Sequence, residues 1–314
     1  MSKYRIPYLL AWLLMILMIV VAISGKWLMP HGISPEDQLF YIDHPNPNLH
    51  TKISPPFGPN RLYWLGTEVR GFDMLSLILN GMKYTLGVAL VITLLRFIIA
   101  IPAGLYSGVT GKGRSLLASL NWISTSLPPL LFIVPPLVII YSALRIDIGL
   151  AANHPNQIIF LLIFVIMVTF IGSFPLAYQF SERARFYSEK LYMESSSLLG
   201  ASVGFRIRKH LLPNLRTEMF YTFVTEFIQV LFLMGQLAIV NIFIGGGELL
   251  KWDDGIVIPL TTTGEWFSLI TFGLPKLRIY PWITLAPMGF FVACLCILQF
   301  FLYQVKKGPL RNSR

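Results

Sequence analysis

Two charged residues fall inside apolar runs of this chain: Arg96, between Tyr84 and Gly108, and Glu226, between Met219 and Phe243. A charge at mid-bilayer costs at least about 2.5 to 3.5 kcal/mol on insertion scales, so neither is expected to face lipid alone. Counting about 1.5 Å per residue from Gly108 and Thr217 sets Arg96 about 18 Å and Glu226 about 13 Å along their helices. Two long side chains bridge that offset. A direct pair is one reading; the other has each residue facing a wet path through the bundle separately. Elsewhere reactive residues are sparse. The histidines His31, His44, His50, His154 and His210 form no His-x-x-x-His pair, and no Gly-x-x-x-x-Gly-Lys phosphate loop is present. Asp43, His44 and His50 are metal-ligand types in one segment, but a solvated polar loop is the preferred reading. Gly245 to Gly247 lacks the strand-to-helix setting of a nucleotide loop and reads as a flexible turn. Cys294 and Cys296 sit two apart in an apolar run, a spacing that points them to different sides of a helix, and they are expected as two buried thiols. No catalytic residue and no metal ligand is assigned.

A second constellation has the pattern of two short helices on a charged loop. Tyr192-Met193-Glu194-Ser195-Ser196-Ser197-Leu198-Leu199-Gly200-Ala201-Ser202 is followed by Lys209-His210-Leu211-Leu212-Pro213-Asn214. The pattern predicts a short helix, a glycine break and a second short helix. Gly200 suits the left-handed position that closes a helix, and Ser202 suits the N-cap of the next. Pro213 lacks an N–H, so the second helix is expected to stop near Leu211. Leu198, Leu199 and Leu211 are expected to anchor the apolar side, with Glu194 accepting hydrogen bonds that fix the loop. Such a pair of helices presents a rigid knob to a soluble partner. A basic amphipathic hairpin resting on anionic lipid is the alternative.

The elements that must hold these residues are membrane helices. With 55% hydrophobic and 13% charged residues, 314 residues carry too little polar surface for an ordinary soluble protein. A net charge of +10 fits basic loops at a cytoplasmic face better than nucleic acid. A bilayer core of about 30 Å needs about 20 apolar residues per helix. Six stretches approach that length: Tyr8 to Ser24, Tyr84 to Gly108, Leu116 to Leu144, Ile158 to Phe180, Met219 to Phe243 and Trp282 to Tyr303. The first also has the basic start and small-residue end of a signal peptide; a retained anchor is preferred. Prolines interrupt the spans, so kinks are expected, above all in the third, at Pro128, Pro129, Pro135 and Pro136.

With the N-terminus inside, 15 of the 25 basic residues fall on cytoplasmic segments against four acidic ones, while outer segments carry nine basic and ten acidic residues. The positive-inside rule therefore sets both termini and the Glu194 loop in the cytoplasm. The long first outer segment ends in a helical stripe, Met74, Leu75, Ile78 and Leu79, which suits a surface-lying amphipathic helix. Trp64, Phe72, Trp252 and Trp266 on outer segments suit interfacial anchoring or a protein-receiving face.

Three blocks carry a resemblance: Gly66-Thr67-Glu68 through Asp73 and Ser76 to Gly81; Glu194 to Gly200 with His210 to Asn214; and Pro281-Trp282. In that order they resemble the membrane subunits of ABC importers of the oligopeptide, dipeptide and nickel permease branch, of the type with a long first extracellular loop. The chain departs from the family in Ser195 and Ser196, where alanines are usual, in its basic end from Lys306 to Arg311, and in Arg96, which marks a divergent member. The resemblance implies an all-α polytopic membrane protein with six transmembrane helices and a cytoplasmic coupling loop, the type I ABC importer permease fold. Its divisions would be an N-terminal anchor (1–24), an extracellular loop (25–83), a permease core (84–303) containing the coupling loop (181–218) and an extracellular loop (244–281), and a basic cytoplasmic tail (304–314).

The resemblance also implies a transport subunit rather than an enzyme. It would sit in a bacterial cell membrane and form half of a path for a peptide-like solute. Expected partners are a second permease subunit, two cytoplasmic ATPases carrying ATP and Mg, an extracytoplasmic binding protein and the bilayer, with no nucleic acid and no cofactor on this chain. ATPase docking would fall to Glu194, Ser195, Ser196, Leu198, Leu199, Gly200, Ala201, Ser202, His210, Leu212 and Pro213. A polytopic sensor or an intramembrane enzyme is the competing class; no signalling domain and no nucleophile with its base is visible for either.

Overall fold

The computed structural model describes residues 5–38, 41–43, 52–144, 154–240, 242, 244, 247–251, 257–261 and 263–307. His44, His50, Gly245, Gly246, Trp252 and the tail after Lys307 lie outside them. In chain order the helices are α1 (Arg5–Leu28), α2 (Met74–Thr110), α3 (Arg114–Ser126), α4 (Pro129–Ala143), α5 (Pro155–Ser188), α6 (Leu191–Leu198), α7 (Val203–Arg206), α8 (Leu212–Ile239), α9 (Trp266–Gly273) and α10 (Pro281–Lys307). A π-helical turn, Ile207–Leu211, joins α7 to α8. Two small antiparallel sheets pair β1 (Ile42–Asp43) with β2 (Lys52–Ile53), and β3 (Gly247–Lys251) with β4 (Val257–Thr261).

Among the described residues, five helical stretches are long and apolar enough to cross a membrane: Ile6–Leu28, Met74–Thr110, Pro155–Ser188, Val203–Ile239 and Pro281–Lys307. The expected third span is instead a broken pair, α3 and α4, bent by 78°. Counting the pair as one span gives up to six. The break has a local cause. A residue before proline avoids the helical region, and Leu127, before Pro128, is extended at φ −127° and ψ 152°. Pro129 then opens α4, where a missing N–H costs nothing.

The chain divides into two compact units, the first being Met1–Gly87, Ile140–Phe160 and Met234–Gly308, the second Val88–Ile139, Leu161–Leu233 and Pro309–Arg314. In the first, α1 packs along α10, with Trp12 edge-on to Phe301 at 4.9 Å. Backbones approach closely: a Cβ on Gly81 would stand 1.7 Å from the Gly264 carbonyl oxygen. Two of the three sequence blocks meet here. Gly66, at φ +76°, leaves room for the Trp282 ring, and the Trp282 indole N–H donates to the Thr67 carbonyl at 3.1 Å. Asp73 caps α2 by accepting from the Ser76 backbone N–H at 3.0 Å and the Ser76 hydroxyl at 2.7 Å.

These contacts correct several expectations. The stripe from Met74 is not surface-lying; it is the first part of α2, where Met74, Ile78 and Leu79 are buried and Leu75 is half-buried. Phe72 and Trp266 are likewise buried, Trp266 donating its indole N–H to the Ile78 carbonyl at 2.8 Å, whereas Trp64 is exposed. Glu68 is fully buried and bonds Arg70 at 2.5 Å, so the block is packing machinery. Glu265 is buried too. It caps α9 by accepting from the Phe267 and Ser268 backbone N–H groups, and burial pushes its carboxyl above the ordinary glutamate value. Of the two thiols, Cys294 is buried and Cys296 exposed, as the spacing requires and against the expectation that both are buried.

The second unit is organised by small residues. Arg96, Ala100, Gly104 and Gly108 recur every four residues and share one face of α2. Facing them on α5 are Gly172, Ala177, Ser181 and Ala184. A Cβ on Gly104 would lie 2.5 Å from the Ala177 carbonyl oxygen, and one on Gly108 would lie 2.4 Å from that of Ser181. Lipid tails are as apolar as leucine, so membrane helices associate through such close packing. Phe97, Leu105, Leu176 and Phe180 fill the flanks, and Met193, Leu211 and Leu215 close the same core.

Candidate functional site

Two sites stand in the second unit. The first is built on the small-residue seam. Gly172 has no side chain because Arg96 occupies the space: an added Cβ would fall 2.0 Å from the guanidinium carbon. Seated there, Arg96 donates through Nη1 to Glu226 Oε2 at 2.9 Å and through Nη2 to the Val168 carbonyl at 2.9 Å. The structure thus brings together the two intramembrane charges on α2 and α8, with side chains 6% and 12% exposed. A charge-assisted hydrogen bond opposes the cost of desolvating the two groups. Glu226 also lines a cavity of about 580 Å³ beside the α3–α4 break, shared with Ser124, Ser126, Pro129, Gln179 and Gln229. Neither Gly172 nor the cavity was read from the sequence. The recurrence of small residues on α2 and α5 was the available signal for the first; the broken third span was the signal for the second.

The second site is the turn between α5 and α8. Helix α6 ends in a Schellman motif: the Ala201 N–H donates to the Ser196 carbonyl at 3.1 Å, and the Gly200 N–H to that of Ser197 at 3.0 Å. Gly200 takes φ +81°, the left-handed conformation this motif needs, with open space around it. Ser202 caps α7, its hydroxyl accepting from the Phe205 N–H at 3.3 Å. Within the expected 181–218 loop, α5 continues to Ser188, and helix resumes at Leu191 and again at Val203.

Pro213 does not stop the second helix. It falls in the first turn of α8, directly after the π-turn, and helix continues from Val203 to Ile239. In an α-helix the proline ring meets the carbonyl four residues back; the wider π-turn relieves that contact. Leu211 and Met193 are buried and anchor the turn, whereas Leu198 and Leu199 are 83% and 89% exposed and do not. Glu194, Ser195, Gly200, Ser202 and Pro213 are exposed, and Ser196, Ala201, His210 and Leu212 are half-buried. Asn214 ties the two sides by donating to the His210 carbonyl at 2.8 Å and to the Tyr192 hydroxyl at 3.3 Å. Burial raises the Tyr192 hydroxyl above its ordinary value, the bond from Asn214 opposing the rise. At the base of the turn Arg114 holds Glu182 at 2.9 Å, and Arg183 lies 3.6 Å from Glu218.

Apolar helices of spanning length, a seam of small residues and a charge pair between helices define an all-α polytopic membrane protein. No protein-family model matches the chain. It is similar to the peptide transport system permease protein SapC of Escherichia coli O6:H1, 26% identical over 268 residues, covering 85% of this chain and 77% of the relative. SapC of Shigella flexneri matches equally, and the oligopeptide transport system permease protein OppC of Bacillus subtilis is 24% identical over 271 residues, 86% of this chain and 76% of that one. The chain is thus similar to permeases of peptide transport systems along most of its length.

Proposed function

We propose that this chain is one of two permease subunits of an ATP-driven importer, forming half of the path for a peptide-like solute handed over by an extracytoplasmic binding protein. The observation that carries this reading is the likeness to peptide-transport permeases along about 85% of the chain. The turn after α5 supports the coupling role: a capped helix presents Leu198 and Leu199, both exposed, beside Glu194 and Ser195, and two apolar side chains held out on a braced turn suit a cleft in a cytoplasmic ATPase. ATP and Mg belong to those partners. The membrane is bacterial, both termini are cytoplasmic, and α1, which packs along α10, is a retained anchor. The test is co-purification of the chain with ATPase subunits encoded beside it, together with ATP-dependent uptake of short peptides into proteoliposomes. Recovery of both supports the reading, and a chain that assembles with no ATPase would remove it.

A further inference from the structure

The cavity beside the α3–α4 break is rich in hydrogen-bond acceptors. Arg96 engages only Oε2 of Glu226, and Oε1 remains on the side chain that lines the cavity. Ser126 and Thr125, also in the lining, spend their hydroxyl protons on the Trp122 and Asn121 carbonyls, so their oxygens are left to accept. The C-terminal end of α3 lies at the same place, where its last carbonyls and the negative end of its dipole are found. Pro128 and Pro129, which follow, bring no N–H donors. Gln179 and Gln229 are the other polar side chains of the lining and serve as either partner. A volume of about 580 Å³ admits several residues' worth of atoms. The local charge is balanced by Arg96, so selection here rests on the direction of lone pairs.

We infer that this cavity is a binding subsite for a primary ammonium group of the transported solute, with Glu226 Oε1 as its main acceptor and the Ser126 hydroxyl and α3 C-terminal carbonyls as auxiliaries. The inference rests on the permease reading and names the chemistry that reading leaves open. Broken helices beside a cavity are where transporters gather polar groups, and a helix C-terminal end favours a cation. An ammonium ion offers three donors on one centre, which matches a carboxylate oxygen flanked by hydroxyl and carbonyl oxygens.

The test uses the full chain in lipid nanodiscs, with exposed Cys296 replaced by alanine and Gln229→Cys introduced as a reporter at the cavity. Maleimide labelling is followed with four probes: n-butylammonium, n-butanol, tri-alanine and N-acetyl-tri-alanine. n-Butylammonium and tri-alanine are expected to slow labelling, with at least about tenfold weaker protection from the two probes lacking an ammonium, the size of one lost charge-assisted hydrogen bond. Protection is expected to vanish in Glu226→Gln, and in Arg96→Gln/Glu226→Gln, where a neutral hydrogen-bonded pair replaces the ionic one. The comparison of charged with uncharged probes in the reporter chain that keeps Arg96 and Glu226 decides even where a variant at those two positions does not fold. Equal protection by butanol and butylammonium, or protection that survives in the double variant, overturns the subsite. Protection by butylammonium without any by tri-alanine keeps the subsite and removes the peptide reading. Equal protection by tri-alanine and its acetylated form does the reverse.

Discussion

Arg96 and Glu226 form a buried ion pair between α2 and α8, and the Val168 carbonyl takes the second arm of the guanidinium. Gly172, whose absent side chain makes the seat for the guanidinium, is what admits the pair. Removing one partner of a buried ion pair costs about 3 to 5 kcal/mol, because the other charge is stranded. Arg96→Leu should therefore lower thermal stability sharply, and adding Glu226→Leu should restore part of it. Strictly additive losses across the two singles and the double, measured by thermal unfolding in detergent, would show that the contact carries no energy. Gly172→Ala should displace the guanidinium and lower stability less than Arg96→Leu does, because the arginine tip can shift away from the added methyl group; an Ala variant as stable as the parent would mean the seat is not closed.

Among elements, the turn after α5 was legible where local chemistry governs and illegible where packing does. Gly200 and Ser202 act within a few residues of themselves, so their roles as left-handed cap and N-cap could be read directly. Pro213 misled, because its effect depends on the turn before it, and the π-turn of Ile207–Leu211 leaves no composition signal. The leucines misled as well: Leu198 and Leu199 point out, and Met193 and Leu211 hold the turn in. Gly200→Val is expected to cost about 1 to 2 kcal/mol locally, as a β-branched residue in left-handed space. It should abolish uptake while membrane insertion, scored by yield in the membrane fraction, is retained. Leu198→Asp with Leu199→Asp should leave thermal stability near the parent's, since both are exposed, yet sharply reduce the ATPase recovered on purification. Unchanged recovery would move docking elsewhere.

For the whole molecule, the run of apolar segments announced a polytopic membrane protein, and composition alone excluded the soluble classes. The prolines of the third span mark its break, which has a local cause; the buried outer block and the seam between α2 and α5 were hidden, because each depends on residues brought together from distant parts of the chain. Thr67 with Trp282 and Gly81 with Gly264 are such meetings. Orientation rests on charge bias and is open to a direct check. In intact cells, with Cys296 replaced, a membrane-impermeant maleimide should label Trp64→Cys but not Leu199→Cys, and permeabilisation should expose the second. Labelling of Leu199→Cys in intact cells would invert the proposed topology.

The π-turn has a mechanical consequence. Relative to an α-helix, a π-turn carries one surplus residue, and one residue corresponds to about 100° of azimuth at 3.6 residues per turn. Val203–Ile239 is thus a crankshaft with a fixed phase offset: the throw at the Ser202 end and the throw at Glu226 are set at an angle that an unbroken α-helix would not give. Deleting Lys209 in a Pro213→Ala background, where no ring meets the carbonyl four residues back, should let the turn anneal to α-helix, keeping both ends folded while turning one against the other by about 100° relative to Pro213→Ala alone. The expected result is a chain that inserts, with near-parental helix content by circular dichroism, but whose peptide uptake is lost. Restoring a residue at that place, alanine included, should return the timing and the transport together. Undiminished uptake in the deletion would mean that the phase between the two ends carries no information.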